Sequence, residues 1–197
     1  MGVVAEILSM NRNIQNLALW SLEGPFDLLV SVTTQIISVQ RFSINQYYLF
    51  QRQPHFDWMN FKNLTHLDLV IDDLELGIAG CKSLCSLPLL THLALNSGFT
   101  EQLVPILLTN SSNLKLLVSF CAIDLDVDQM QDLRLVCLSA PIEWQEDWYY
   151  GAHGGLDFWS EAETAQQRKA RRQRARARDV SIDLPDFIAA TSNLRLA

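Results

Sequence analysis

Apolar residues recur along this chain in one short pattern. Leu64-Thr65-His66-Leu67-Asp68-Leu69 and Leu90-Thr91-His92-Leu93-Ala94-Leu95 both read LxxLxL and lie 26 residues apart. Stepping back 25 residues from the first gives Val39-Gln40-Arg41-Phe42-Ser43-Ile44, and another 25 gives Ile14-Gln15-Asn16-Leu17-Ala18-Leu19. Stepping forward 24 from the second gives Leu114-Lys115-Leu116-Leu117-Val118-Ser119, and a further 19 gives Leu133-Arg134-Leu135-Val136-Cys137-Leu138. Only Ser119 breaks the apolar template. One such hexad is a weak signal in a leucine-rich chain. Six at nearly constant spacing form an internal repeat, and most intervals fall within the roughly 20–29 residues of leucine-rich repeats.

In such a unit the fourth and sixth residues point into the core from a short strand, and their neighbours face the other way. The third positions are Asn16, Arg41, His66, His92, Leu116 and Leu135. The fifth are Ala18, Ser43, Asp68, Ala94, Val118 and Cys137, and the seventh Trp20, Asn45, Val70, Asn96, Phe120 and Ser139. This face is mixed and polar over four units and mostly apolar over the last two. Its polar half makes Arg41, His66, Asp68, His92 and Asn96 the candidate protein-binding positions. The apolar half requires a cover. Residues 142–159 supply a candidate: they contain Trp144, Trp148, Tyr149, Tyr150, Phe158 and Trp159. The pattern therefore predicts that this aromatic segment folds back as a cap, which solenoids need at their ends.

Between the strands, Thr100 to Asn110 reads as a helix capped by Thr100, with Glu101 in the first turn and Leu103, Leu107 and Leu108 as its stripe. Phe26 to Ile36 is a second helix candidate. Tyr47 to Phe61 is irregular, and Asp72 to Leu87 holds helical turns that Pro88 ends. The ninth positions lack the usual Asn or Cys, so irregular curvature is expected. Either residues 1–13 form a helix over the first strand edge, or the repeats begin further upstream.

Hydrophobic residues make up 49 % of the 197 positions, which excludes wholesale disorder. The net charge of −7 is unevenly placed: −12 over residues 1–167, +7 over 168–178 and −2 over 179–197. Arg168, Lys169, Arg171, Arg172, Arg174, Arg176 and Arg178 form the basic patch. Ser160 and Glu163 match a capping box, so a basic helix running to about Ala177 is expected. Nucleic-acid contact through that helix is a second functional reading, though the patch has no interleaved aromatics for base stacking.

Other chemistry finds little support. Cys81, Cys85, Cys121 and Cys137 read as reduced thiols rather than a disulfide framework or zinc site. Asp124, Asp126 and Asp128 begin like a calcium loop, but Gln129 and Leu135 stand where Gly and Glu are required. Gly151, Gly154 and Gly155 lack the strand and the Lys-Ser/Thr of a phosphate cradle. No enzyme activity, cofactor or metal is expected. No signal peptide or membrane span is recognisable, so a cytoplasmic or nuclear location follows.

The repeat units, together with Trp148-Tyr149-Tyr150-Gly151-Ala152-His153-Gly154-Gly155-Leu156-Asp157-Phe158-Trp159-Ser160-Glu161-Ala162-Glu163, resemble the C-terminal part of fungal F-box proteins with degenerate leucine-rich repeats. The resemblance spans residues 13–172, and the stretch from Asp147 to Glu163 is its more specific part. It implies a solenoid that presents target proteins to a cullin–RING ubiquitin ligase. No F-box precedes Ile14, so the contact with the ligase adaptor is not carried over. The expected architecture is α/β: a leucine-rich-repeat-like solenoid over 1–141 with short parallel strands and irregular convex helices. An aromatic cap over 142–160, a basic helix over 161–178 and a weakly structured tail over 179–197 complete it.

Overall fold

The computed structural model describes residues 2–20, 35–36, 38–45, 58–71, 74–120 and 126–192, without the side chains of 2, 74–77 and 179–192. The architecture is α/β, with six parallel strands and six helices among the described residues. The strands are β1 (Asn16–Leu19), β2 (Arg41–Asn45), β3 (His66–Ile71), β4 (His92–Ser97), β5 (Leu116–Ser119) and β6 (Leu135–Cys137). They lie side by side in chain order in one sheet. Asn16 pairs with Arg41, Arg41 with His66, His66 with His92 and His92 with Leu116.

A repeated backbone device sets this register. The carbonyl of Gln15 accepts from both Gln40 N–H and Arg41 N–H, at 2.8 and 2.9 Å. Gln40 does the same for Thr65 and His66, Thr65 for Thr91 and His92, and Thr91 for Lys115 and Leu116. Each unit thus enters its strand against the same point of the unit before. Leu17, Leu19, Phe42, Ile44, Leu67, Leu69, Leu93, Leu95 and Leu117 then point to one side and form the main core.

The helices α1 (Gly2–Met10), α2 (Leu74–Leu84) and α3 (Thr100–Asn110) contribute to that core. In α3 the buried stripe is Leu103, Val104, Leu107 and Leu108, with Pro105 inside the helix. Thr100 is its first helical residue rather than its cap, and its hydroxyl donates back to the Ser97 carbonyl at 2.7 Å. Phe99 holds the cap position without a side-chain bond. The helix α1 buries Leu8 in the core and leaves Val3, Ile7 and Met10 exposed. Residues 58–60 form a single 3-10 turn that buries Trp58. The helix expected over Phe26–Ile36 falls largely outside the described residues, as does most of Tyr47–Phe61.

The sixth unit departs from its expected register. Leu117 pairs with Leu135 and Val118 with Val136, so Leu135 faces the core and Val136 the opposite side. The expectation had placed Leu135 and Cys137 outward. Because Leu133, Leu135, Val136 and Leu138 are all apolar, the sequence pattern fits both registers, and a one-residue slip exchanges the faces. Arg134 holds the observed register. It binds Asp132 at 2.7 Å and reaches the Leu108 carbonyl at 2.8 Å.

The chain continues through α4 (Val127–Gln131, before β6), α5 (Trp144–Ala152) and α6 (Phe158–Ser192). The helix α6 starts earlier and runs further than the basic helix expected over 161–178, and into the tail expected to be weakly structured. No glycine or proline stands between Phe158 and Leu184 to stop it. Its cap is Asp157, whose Oδ1 accepts from the Ser160 N–H at 3.1 Å, rather than a Ser160–Glu163 box. No helix among the described residues is long and apolar enough to cross a membrane.

Candidate functional site: the strand face and the segment that covers it

The sheet face opposite the main core is covered by α5 and the first turns of α6. Over the last strands the contact is apolar. Ala94, Leu116, Val118, Phe120 and Val136 form a second cluster with Phe158, Trp159 and Ala162. Phe120 meets Trp144 and Phe158 edge-on at 4.9 and 5.1 Å.

Over the middle strands the contact is aromatic but polar beneath. His66 and His92, equivalent residues of neighbouring units, stack at 4.2 Å with an interplanar angle of 12°. Trp159 stands edge-on to both, at 5.3 and 5.8 Å. Their Nδ1 atoms lie 2.9 and 2.8 Å from the hydroxyls of Thr65 and Thr91, the residues just before them. Burial holds His66 neutral, its pKa lowered to about 3, with repulsion from His92 and Arg41 adding to the effect. Burial also lowers the pKa of His92, against the attraction of Glu163, whose carboxylate lies 3.4 Å from Nε2. Two protonated rings would repel at this distance, and burial favours the neutral form of each.

Over the first strands the contact is ionic and hydrogen-bonded. Arg41 donates to the Gly151 carbonyl at 2.8 Å and pairs with Asp157 at 2.5 Å. Its guanidinium also sits 5.3 Å from the Trp148 ring centroid. Asn16 Nδ2 lies 3.5 Å from the Ala152 carbonyl, and Trp20 meets Trp148 edge-on at 6.1 Å. Asp157 therefore has two tasks. One oxygen caps α6 and the other anchors Arg41, 116 residues away in sequence. Asp147 joins the two covering helices by accepting from the Phe158 N–H at 3.1 Å. Gly151 is required here, because a Cβ would overlap the Asp157 carboxylate and lie 2.9 Å from Arg41.

Beneath this seam runs a buried polar chain. Trp20 Nε1 donates to Ser43 Oγ, which donates to Asp68 Oδ2, both at 2.6 Å. Asp68 is 1 % exposed and its Oδ1 has no hydrogen-bond partner. Burial raises its pKa to about 7, opposed by the Ser43 hydrogen bond and helped by the nearby Asp147.

Four of the five expected protein-binding positions are thus engaged within the chain. Arg41, His66, Asp68 and His92 seat the C-terminal segment or lie under it, and the polar face is not an open surface. The physical reason is complementarity: Asp157, Trp148, Trp159 and Glu163 supply partners for Arg41, His66 and His92, while Asp68 is held from below by Ser43. Asn96 is half-buried at the far end of β4. Asp157, Asp147 and Gly151 were not singled out as partners of this face. The density of aromatic and acidic residues between 143 and 163 is the signal that points to them.

The basic patch lies elsewhere. Arg168, Arg171, Arg172, Arg174, Arg176 and Arg178 are exposed on α6. Lys169 is half-buried and donates to the carbonyls of Asp132 and Leu135, at 2.6 and 2.9 Å. Cys81 is buried, which pushes its thiol up to about 12, and Cys85, 3.0 Å from the Ser111 hydroxyl, is free. Cys121 falls outside the described residues. No group of three His, Cys, Asp or Glu side chains among the described residues is placed to hold a metal ion. No family model, curated protein or solved structure matches the chain.

Proposed function

We propose that the chain is a non-enzymatic protein-binding module, a leucine-rich-repeat solenoid with the C-terminal segment as its cap. The observation that carries this reading is the ladder in which four successive units enter their strands through the same pair of backbone bonds. Stacked units of this kind build extended surfaces suited to recognising other proteins. The resemblance to the substrate-recognition part of F-box receptors points the same way, and makes a ubiquitin-ligase substrate one class of partner. A cytoplasmic or nuclear location accords with it. Because the chain itself fills the strand face, the partner surface is sought on the flanks of the units and on α6.

Cross-linking of the affinity-purified full chain tests this. Lys62, Lys82 and Lys115 lie exposed on the second, third and fifth units. Cross-links from at least two of them to one recurring partner are expected. The absence of any common partner would refute the reading.

A second reading, a nuclear or nucleic-acid-associated protein, is favoured by one observation: six exposed arginines on one helix. It requires binding to RNA or DNA that falls steeply with salt and is lost on deleting 168–178. No binding at low salt would end it.

A further inference from the structure

The basic helix does more than project charge. Where α6 passes the last strand it forms one wall of a groove of about 760 Å³. The opposite wall includes Met130 and Gln131, at the end of α4. The floor is the outer edge of β6 with Leu135, Val136 and Cys137. From α6 the groove receives Ala165, Arg168, Lys169, Arg172, Gln173 and Arg176. Its floor backs onto the main core through Leu135 and onto the covered strand face through Val136.

Three features define what fits. First, β6 ends the sheet, with β5 on one side and no strand on the other among the described residues. In a parallel ladder alternate residues bond to one neighbour. Leu117 N–H donates to the Arg134 carbonyl and Leu138 N–H to that of Ser119. Leu135 and Cys137 therefore turn away from β5, and the Leu135 N–H donates to the Asp132 carbonyl at 3.1 Å. Lys169 already occupies the Leu135 carbonyl, which leaves Cys137 as the edge residue for an incoming chain. Second, Arg168, Arg172 and Arg176 recur every four residues along one face of α6, a rise of about 6 Å per step. Alternate side chains of an extended peptide recur every ~6.6 Å. Third, the lining offers the exposed Met130, with Leu135 and Val136 buried behind the edge, and no aromatic side chain. It can hold apolar residues between charges, whereas it offers no platform on which bases stack.

We infer that this groove docks an extended acidic peptide of a partner protein, with alternate carboxylates on Arg168, Arg172 and Arg176 and the intervening apolar residues on Met130 and the β6 edge. The inference deepens the protein-binding reading by naming the surface and the chemistry of the partner. Charge-assisted arginine–carboxylate bonds supply most of the affinity. The edge of β6 supplies direction, as in other strand-addition modes.

Fluorescence anisotropy with the full chain tests it. The probe is a labelled twelve-residue peptide of alternating Glu and Val, compared with its Lys–Val counterpart and a single-stranded oligonucleotide. Binding of the Glu–Val peptide alone is expected. R172E/R176E, which alters exposed residues only, should weaken it about tenfold or more. C137P, which removes one outward N–H, should weaken it about fivefold. A response equal for the Lys–Val peptide, stronger binding of the oligonucleotide, or affinity unchanged in R172E/R176E would overturn the inference. So would salt-sensitive self-association of the chain that blocks the peptide. A partner still cross-linked to Lys62, Lys82 or Lys115 in R172E/R176E would overturn the groove alone and leave the protein-binding reading standing.

Discussion

The two halves of the strand face are covered by the same C-terminal segment, but by opposite means. Over β4 to β6 the segment is held as a hydrophobic core is held, by Phe158, Trp159 and Ala162 on Leu116, Val118 and Val136. Over β1 to β3 it is held by directed bonds, chiefly Arg41 to Asp157 and to the Gly151 carbonyl. The apolar half is stabilised by burial, at roughly 25 cal/mol per Å² of apolar area removed from water. The polar half fixes where α5 ends and α6 begins, since an ion pair tolerates little displacement. Trp159 joins the halves, with Phe158 on one side and the histidine stack on the other.

The largest effect is expected from the apolar half. Trp159→Ala removes a side chain that is 4 % exposed and should cost about 3–5 kcal/mol in urea unfolding. A loss below about 1 kcal/mol would mean that the segment does not rest on the sheet.

A pH-dependent effect follows from the polar half. Asp68 has its pKa raised from 3.8 to about 7, so the folded state holds its proton more tightly than the unfolded state does. Stability from this group is present below 3.8 and is lost as pH rises through about 7. Asp68→Asn should therefore raise the melting temperature above pH 7 and lose that advantage below 3.8. The histidine stack acts in the opposite direction. His66 is held neutral, with a pKa lowered from 6.5 to about 3, so its contribution falls as pH drops below 6.5. Melting curves across this range, with and without Asp68→Asn, separate the two groups.

Gly151→Ala should cost about 1–3 kcal/mol, because its methyl group must displace the Arg41–Asp157 pair. The smallest effect is expected at Glu163→Gln. Its carboxylate is 53 % exposed and its imidazole partner is mostly neutral, so the loss should stay within about 0.5 kcal/mol. A larger loss would mean that His92 is protonated in the folded protein.

The same contrast explains what the sequence made legible. The parallel strands are legible because each unit carries its own apolar template, and the ladder from Gln15 to Thr91 repeats with it. The sixth strand was misaligned by one residue because four apolar side chains between 133 and 138 satisfy either register. Local pattern could not choose; the Arg134 contacts with Asp132 and Leu108 do. The engagement of Arg41, His66, Asp68 and His92 was illegible for a different reason. A polar row on a strand reads as an open surface until its partners are known. For Arg41, His66 and His92 those partners lie more than 70 residues further along the chain. No periodicity links Arg41 to Asp157. The groove beside β6 was legible only as charge, since its edge residue Cys137 follows from the observed register of β6.

The central claim is that the C-terminal segment occupies the strand face through Arg41. A double-mutant cycle with Arg41→Met and Asp157→Asn, read by urea unfolding of the full chain, tests it most directly. Asp157 is 5 % exposed and Arg41 19 %, so the pair is shielded from solvent. The expected coupling is about 1–3 kcal/mol, as for contacting residues in one network. A coupling near zero, with the two single losses simply adding, would place residues 144–160 off the sheet and contradict the account.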